Sequence, residues 1–194
     1  MAADPACAAA HAVPAYDETF VYTNSADGSI TVGNVFVHIA GDPPGEYPVP
    51  STPAVLDQKG CQYEPHVFGM MVGQQLLIKN SDPTVHNVHS LASKNSNFNN
   101  GQTQGAPPLT RSFANEEVMI RVKCDMHPWM TCYVGVLNHP FFDVTDADGV
   151  FMIDNVPAGQ YELTAWQEVL KSRSKQLVVK KDETVRMNFV FERK

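Results

Sequence analysis

The segment CDMHPWM, residues 124–130, sets a thiol, an imidazole and a thioether at the spacing C-x2-H-x2-M, on Cys124, His127 and Met130. Thiolate and thioether hold Cu(I), and imidazole tolerates Cu(II), so this soft, mixed donor set suits copper. The C-x2-H pair alone reads as well as a zinc half-site or a chance pair. Met130 and a fourth donor from elsewhere move the balance to copper. The best candidate for that donor is His86 in SDPTVHNVH, residues 81–89, which follows a strand and a tight Asp-Pro turn.

Such a loop has to be held by strands, and strand signals dominate the chain. Glu117–Lys123 alternates with period two and leads into Cys124, and Tyr133–Leu137 leads away. Further strands are expected at Thr19–Thr23, Ser29–Ala40, His66–Val72, Gln74–Lys79 and Thr84–His89. The five prolines of residues 41–53 predict a loop, because proline has no N–H for a ladder. The polar, Asn/Gln-rich stretch Ser93–Gly105 predicts a solvated surface loop. After Pro140 a second rhythm predicts strands at Phe141–Thr145, Val150–Ile153, Tyr161–Trp166, Gln176–Lys180 and Val185–Phe191. A short helical turn is possible at Thr164–Leu170.

The composition of the 194 residues narrows the function. The net charge is −7, with four Lys/Arg against eleven Asp/Glu before residue 120 and ten of each after it. There is no basic stripe to replace phosphate counterions, which argues against nucleic acid; the acidic first part would suit a basic protein partner. No apolar run approaches the roughly 20 residues that span a bilayer. The Ala-rich start reads as a mature N-terminus after signal-peptide removal, hence a periplasmic or secreted protein. Haem attachment lacks its C-x2-C-H, and a Cys124–His127 nucleophile lacks a visible orienting third group, so no enzymatic activity is expected.

Residues 124–130 resemble the ligand loop of the cupredoxins, the type 1 copper proteins, in its amicyanin-like spacing. Upstream, Tyr63-x-Pro65, Val72-Gly73-Gln74, Ile78-Lys79-Asn80 and Pro83-x2-His86-Asn87-Val88 resemble the plastocyanin pattern. The resemblance covers about residues 20–139. It implies a Greek-key β-sandwich holding one copper ion, with His86, Cys124 and His127 equatorial and Met130 axial. It also implies outer-sphere electron transfer with redox partner proteins, Pro128 and Trp129 forming an apolar rim. The alternative class is periplasmic copper storage or delivery, suggested by eight Met and seven His.

Residues 144–151 (VTDADGVF) and 156–163 (VPAGQYEL) resemble a carboxypeptidase regulatory-like, transthyretin-type β-sandwich. The chain is thus expected to be all-β, in three parts. Residues 1–16 form a disordered or extended N-terminus, 17–139 the copper domain, and 140–194 a second small β-sandwich. That last part either packs on the first domain or borrows a strand from the N-terminal region. Three extra donors stay open. His89 reads as a hydrogen-bonded histidine outside the ligand set, Cys61 as a disulfide partner or buried thiol, and His66 as undecided. Cys7, Cys61 and Cys132 offer three disulfide pairings.

Overall fold

A computed structural model describes residues 4–11, 19, 21–24, 28 and 30–192. The expected all-β class is observed. Among the described residues one short helix, α1 (Pro5–Ala9), precedes fifteen strands. In chain order these are β1 (Tyr22–Asn24), β2 (Ile30–Val32), β3 (Phe36–Ala40), β4 (Ala54–Lys59), β5 (Gln62–Glu64), β6 (Val67–Met71), β7 (Leu76–Asn80) and β8 (His86–Leu91). They continue as β9 (Asn99–Gln102), β10 (Leu109–Arg111), β11 (Glu117–Lys123), β12 (Thr131–Leu137), β13 (Phe142–Val144), β14 (Gly159–Gln167) and β15 (Lys171–Val179).

The chain divides into two compact units, residues 1–16 with 48–138 and residues 17–47 with 139–194. In the first, two sheets of order β10-β7-β4-β5 and β6-β12-β11-β8-β9 form a β-sandwich. Alternation along each strand supplies one inward face per sheet. Leu56, Tyr63, Leu76 and Ile78 from one sheet share a buried cluster with Met70, Val88, Ile120, Val122, Val134 and Val136 from the other. Cys124 and Met130 belong to the same cluster, so the ligand loop is rooted in the core.

The second unit has the four-stranded sheet β13-β3-β14-β15 and the hairpin β1-β2. Here the expected boundaries change. The sequence places residues 17–47 with the copper domain, yet β3 pairs with both β13 and β14 and lies inside this sheet. Borrowing a strand, rather than a self-contained 140–194, is the observed solution. Its physical reason is the apolar run Val35, Val37, Ile39, which completes a cluster with Phe141, Tyr161, Leu163, Ala165 and Leu177.

Other expectations change locally. Ser29–Ala40 is not one strand: residues 33–35 interrupt it, with Asn34 at φ 56°. The polar stretch 93–105 contains β9, which pairs with β8 through backbone groups that need no apolar side chains. Residues 150–153 and 185–191 form no strands, although Phe151, Ile153, Met187, Phe189 and Phe191 still pack on the second core. Residues 164–167 belong to β14, leaving only a turn after them. The N-terminus over 4–11 is helical at Pro5–Ala9, where extended or disordered chain was expected. The calls on residues 1–3, 12–18, Phe20 and Ser29 lie outside the described residues.

Candidate metal centre

Strands β11 and β12 are antiparallel neighbours, and residues 124–130 are the loop between them. Two backbone bonds tighten it: Cys124 N–H donates to the Met130 carbonyl at 3.1 Å and Met130 N–H to the His127 carbonyl at 2.9 Å. The folded loop buries Cys124, His127 and Met130 while leaving Met126, Pro128 and Trp129 exposed. His86 arrives by register. Lys123 pairs with His89 across β11 and β8, so His86 lies past the end of that ladder, level with the loop. It is fully buried.

The donor atoms of His86, Cys124 and His127 all lie within 4.8 Å of one another. The two Nδ1 atoms face each other at 2.8 Å, and the Cys124 Sγ lies 3.7 Å from His127 Nδ1. Behind each ring stands a carboxylate, Asp82 Oδ2 at 2.7 Å from His86 Nε2 and Asp4 Oδ2 at 3.0 Å from His127 Nε2. A carboxylate in that position takes the imidazole N–H, which fixes the tautomer and leaves Nδ1 as the lone pair. Burial pushes the His86 pKa down, against the pull of Asp82, and so favours the neutral ring. Two lone pairs and a buried thiol then converge on one space, an arrangement that calls for a proton or a cation between them. The donor set fits a soft to borderline ion such as copper.

The surroundings hold these rings in place. Asp82 also accepts from the backbone N–H groups of Gly60 at 2.6 Å and Cys61 at 2.7 Å. Gly60 and Cys61 are the two turn residues between β4 and β5, with φ of 64° and 53°. Positive φ at both positions is the mark of the tight hairpin turn whose twist suits antiparallel strands. Asn87 fastens the ligand loop to β8. Its Oδ1 accepts from Asp125 N–H at 2.7 Å and from the Cys124 thiol at 3.2 Å, and its Nδ2 donates to Asn99 and Asp125. The buried Tyr63 hydroxyl donates to the Asn87 carbonyl at 2.6 Å, and burial pushes its pKa far up.

The extra donors make bonds of their own, although Cys61 stays within 4.8 Å of His86 and Asp82. His89 faces Asp125, its Nδ1 3.0 Å from Oδ2. His66 is buried edge-on to Tyr133 with ring centroids 6.0 Å apart. Cys61 is disulfide-bonded to Cys7, one of the three open pairings, and Cys132 is buried outside that bridge. Sequence reasoning missed Asp82, Asp4 and Cys7 as parts of this neighbourhood. Asp82 stands four residues before His86, and Asp4-Pro5 is a helix-start signature, but neither signal points to a metal-site partner.

Comparisons with known proteins add the following. No family model matches the chain, and no curated protein sequence does. Among solved structures, it is similar to a copper-containing nitrite reductase from Thermus scotoductus, 16% identical with a TM-score of 0.41. That match covers 47% of this chain, which spans only 24% of the reductase. A purple cupredoxin from Nitrosopumilus maritimus is 21% identical with a TM-score of 0.37, covering 43% of this chain and 98% of that one. A reduced amicyanin mutant is 21% identical with a TM-score of 0.40, covering 52% and 97%.

Proposed function

We propose that the chain is a copper protein that carries electrons through one type 1 centre, which His86, Cys124, His127 and Met130 would hold. The observation that carries this reading is the pair of imidazole Nδ1 atoms facing each other at 2.8 Å beside the Cys124 thiol. A bound copper ion would supply a one-electron couple at this point. The chain's own part is to keep the donors in one geometry for both oxidation states. Asn87 and the two loop bonds hold Cys124, and the carboxylates hold the rings. Burial of the ligands excludes water, and the exposed Met126, Pro128 and Trp129 form an apolar rim for a redox partner protein.

The Cys7–Cys61 disulfide supports an oxidising compartment, periplasmic or extracellular. No catalytic activity is proposed, and we read the second unit as a packing or docking module of the regulatory-like type. The test is to load the apoprotein with Cu(II) and record the visible spectrum. An intense thiolate-to-copper charge-transfer band, lost in Cys124→Ser, is expected. Its absence from wild type, or its survival in Cys124→Ser, overturns the reading. Tight, colourless Cu(I) binding would favour storage or delivery instead.

A further inference from the structure

The outward nitrogen of His127 meets a residue from the far end of the chain. Asp4 uses both carboxylate oxygens: Oδ1 accepts from Ala6 N–H at 2.8 Å and Cys7 N–H at 3.2 Å, and Oδ2 lies 3.0 Å from His127 Nε2. The first contacts cap α1. The second faces the ligand loop.

This helix is tied down on the same side. Cys7 is bonded to Cys61, its Sγ lies 3.7 Å from His127 Nε2, and His11 Nε2 lies 2.6 Å from the Gly60 carbonyl. The Gly60–Cys61 turn is also the one whose N–H groups hold Asp82 behind His86. One turn therefore anchors the carboxylates of both imidazoles, Asp82 through its backbone and Asp4 through the disulfide.

We propose that Asp4 is a positioning residue of the metal centre, carried to the Nε2 edge of His127 by the Cys7–Cys61 disulfide. This rests on the copper reading above. The carboxylate fixes the Nε2–H tautomer of His127 and keeps its ring turned so that Nδ1 faces the other donors. Its negative charge favours the more highly charged oxidation state of a bound ion, and so lowers the reduction potential. Without the disulfide, α1 has no covalent tie at this edge, and the effect fades.

The rival account is that Asp4 only caps a short helix. Asn caps as well as Asp does but carries no charge. Asp4→Asn therefore separates the two roles. In the copper-loaded full chain it should raise the potential by about a tenfold shift in the Cu(II)/Cu(I) preference, ~59 mV for one electron, with little change in melting temperature. Cys7→Ser/Cys61→Ser should raise it similarly, and adding Asp4→Asn to that background should do nothing further.

A second measurement needs no copper. In the apoprotein labelled with 15N-histidine, His127 should show an Nε2-protonated ring with a slowly exchanging N–H in wild type. Asp4→Asn should lose that signature. An unchanged potential in Asp4→Asn, or an unchanged His127 signature in the apoprotein, overturns the proposal while the charge-transfer band leaves the copper reading standing. A wild type with no such band overturns the copper reading and the potential effect with it, and the His127 signal still decides whether Asp4 sets that ring.

Discussion

His86 and His127 present their Nδ1 atoms to one another across 2.8 Å, 41 residues apart in the chain, while a carboxylate occupies the far nitrogen of each ring. The first consequence concerns which histidines matter. His86→Ala should abolish or grossly alter the copper charge-transfer band. His89→Ala should leave it nearly intact, because that ring faces Asp125 instead. Equal spectral effects of the two variants would contradict the arrangement.

Asn87 joins β8 to the ligand loop through three side-chain hydrogen bonds and makes a fourth to Asn99 on β9. Asn87→Ala strands the Asp125 N–H and loosens the Cys124 side chain, so denaturant unfolding should show a loss of about 1–3 kcal/mol. The copper band should also shift in position. Asn87→Asp, which keeps the acceptor oxygen, should retain more of both properties.

Glu117 gives an acid-stability prediction. Burial pushes its carboxyl pKa up, but hydrogen bonds from the Ser93 and Lys94 N–H groups, the Ser93 hydroxyl and the Asn95 amide outweigh it and hold the pKa at about 2 against an ordinary 4.5. With the folded value depressed, its stabilisation is complete above the unfolded pKa and is lost as pH falls from about 4.5 through about 2. Unfolding midpoints recorded across that range should decline in wild type and less steeply in Glu117→Gln, which should itself be less stable at pH 7 by about 1–3 kcal/mol. Parallel pH profiles for the two proteins would remove Glu117 from the explanation.

The Cys7–Cys61 bridge closes a loop across a sequence separation of 54 residues. Loop-closure entropy assigns it about 4 kcal/mol at most, with 2–4 kcal/mol usual. Cys7→Ser/Cys61→Ser should lower the stability of the first unit by that amount, measured by urea unfolding. The same denaturation should leave a transition reporting on the second unit unmoved.

In the second unit Gly149 has φ +74°, and a Cβ there would sit 3.0 Å from the Thr31 Cβ. Left-handed backbone and close approach both oppose a side chain. Gly149→Ala should therefore destabilise this unit by about 1–3 kcal/mol, and Gly41→Ala, which has positive φ but open space around it, should cost less.

What the sequence determined by itself was local. The period-two run Glu117–Lys123, the compact C-x2-H-x2-M loop and the Asp-Pro turn before His86 are short-range patterns; β11 and the loop 124–130 stand where those patterns put them, and β8 starts two residues later than expected, at His86. The resemblance of two motif blocks groups His86 with Cys124 and His127, and their donor atoms lie within 4.8 Å of one another. Apolar alternation is a weaker guide where no partner strand is available: Phe189 and Phe191 find the second core without joining a ladder.

Only the tertiary structure decided the rest. Which cysteine pairs with Cys7, which unit receives β3, and which carboxylates stand behind the two imidazoles all depend on contacts between residues far apart in the chain. Asp4 and His127 are separated by 123 residues, and no periodicity or turn signal spans that distance. Backbone preferences act over a few residues. Asp4 reaches His127 only because the first unit has already buried its core and placed the Gly60–Cys61 turn where Cys7 can bond to it.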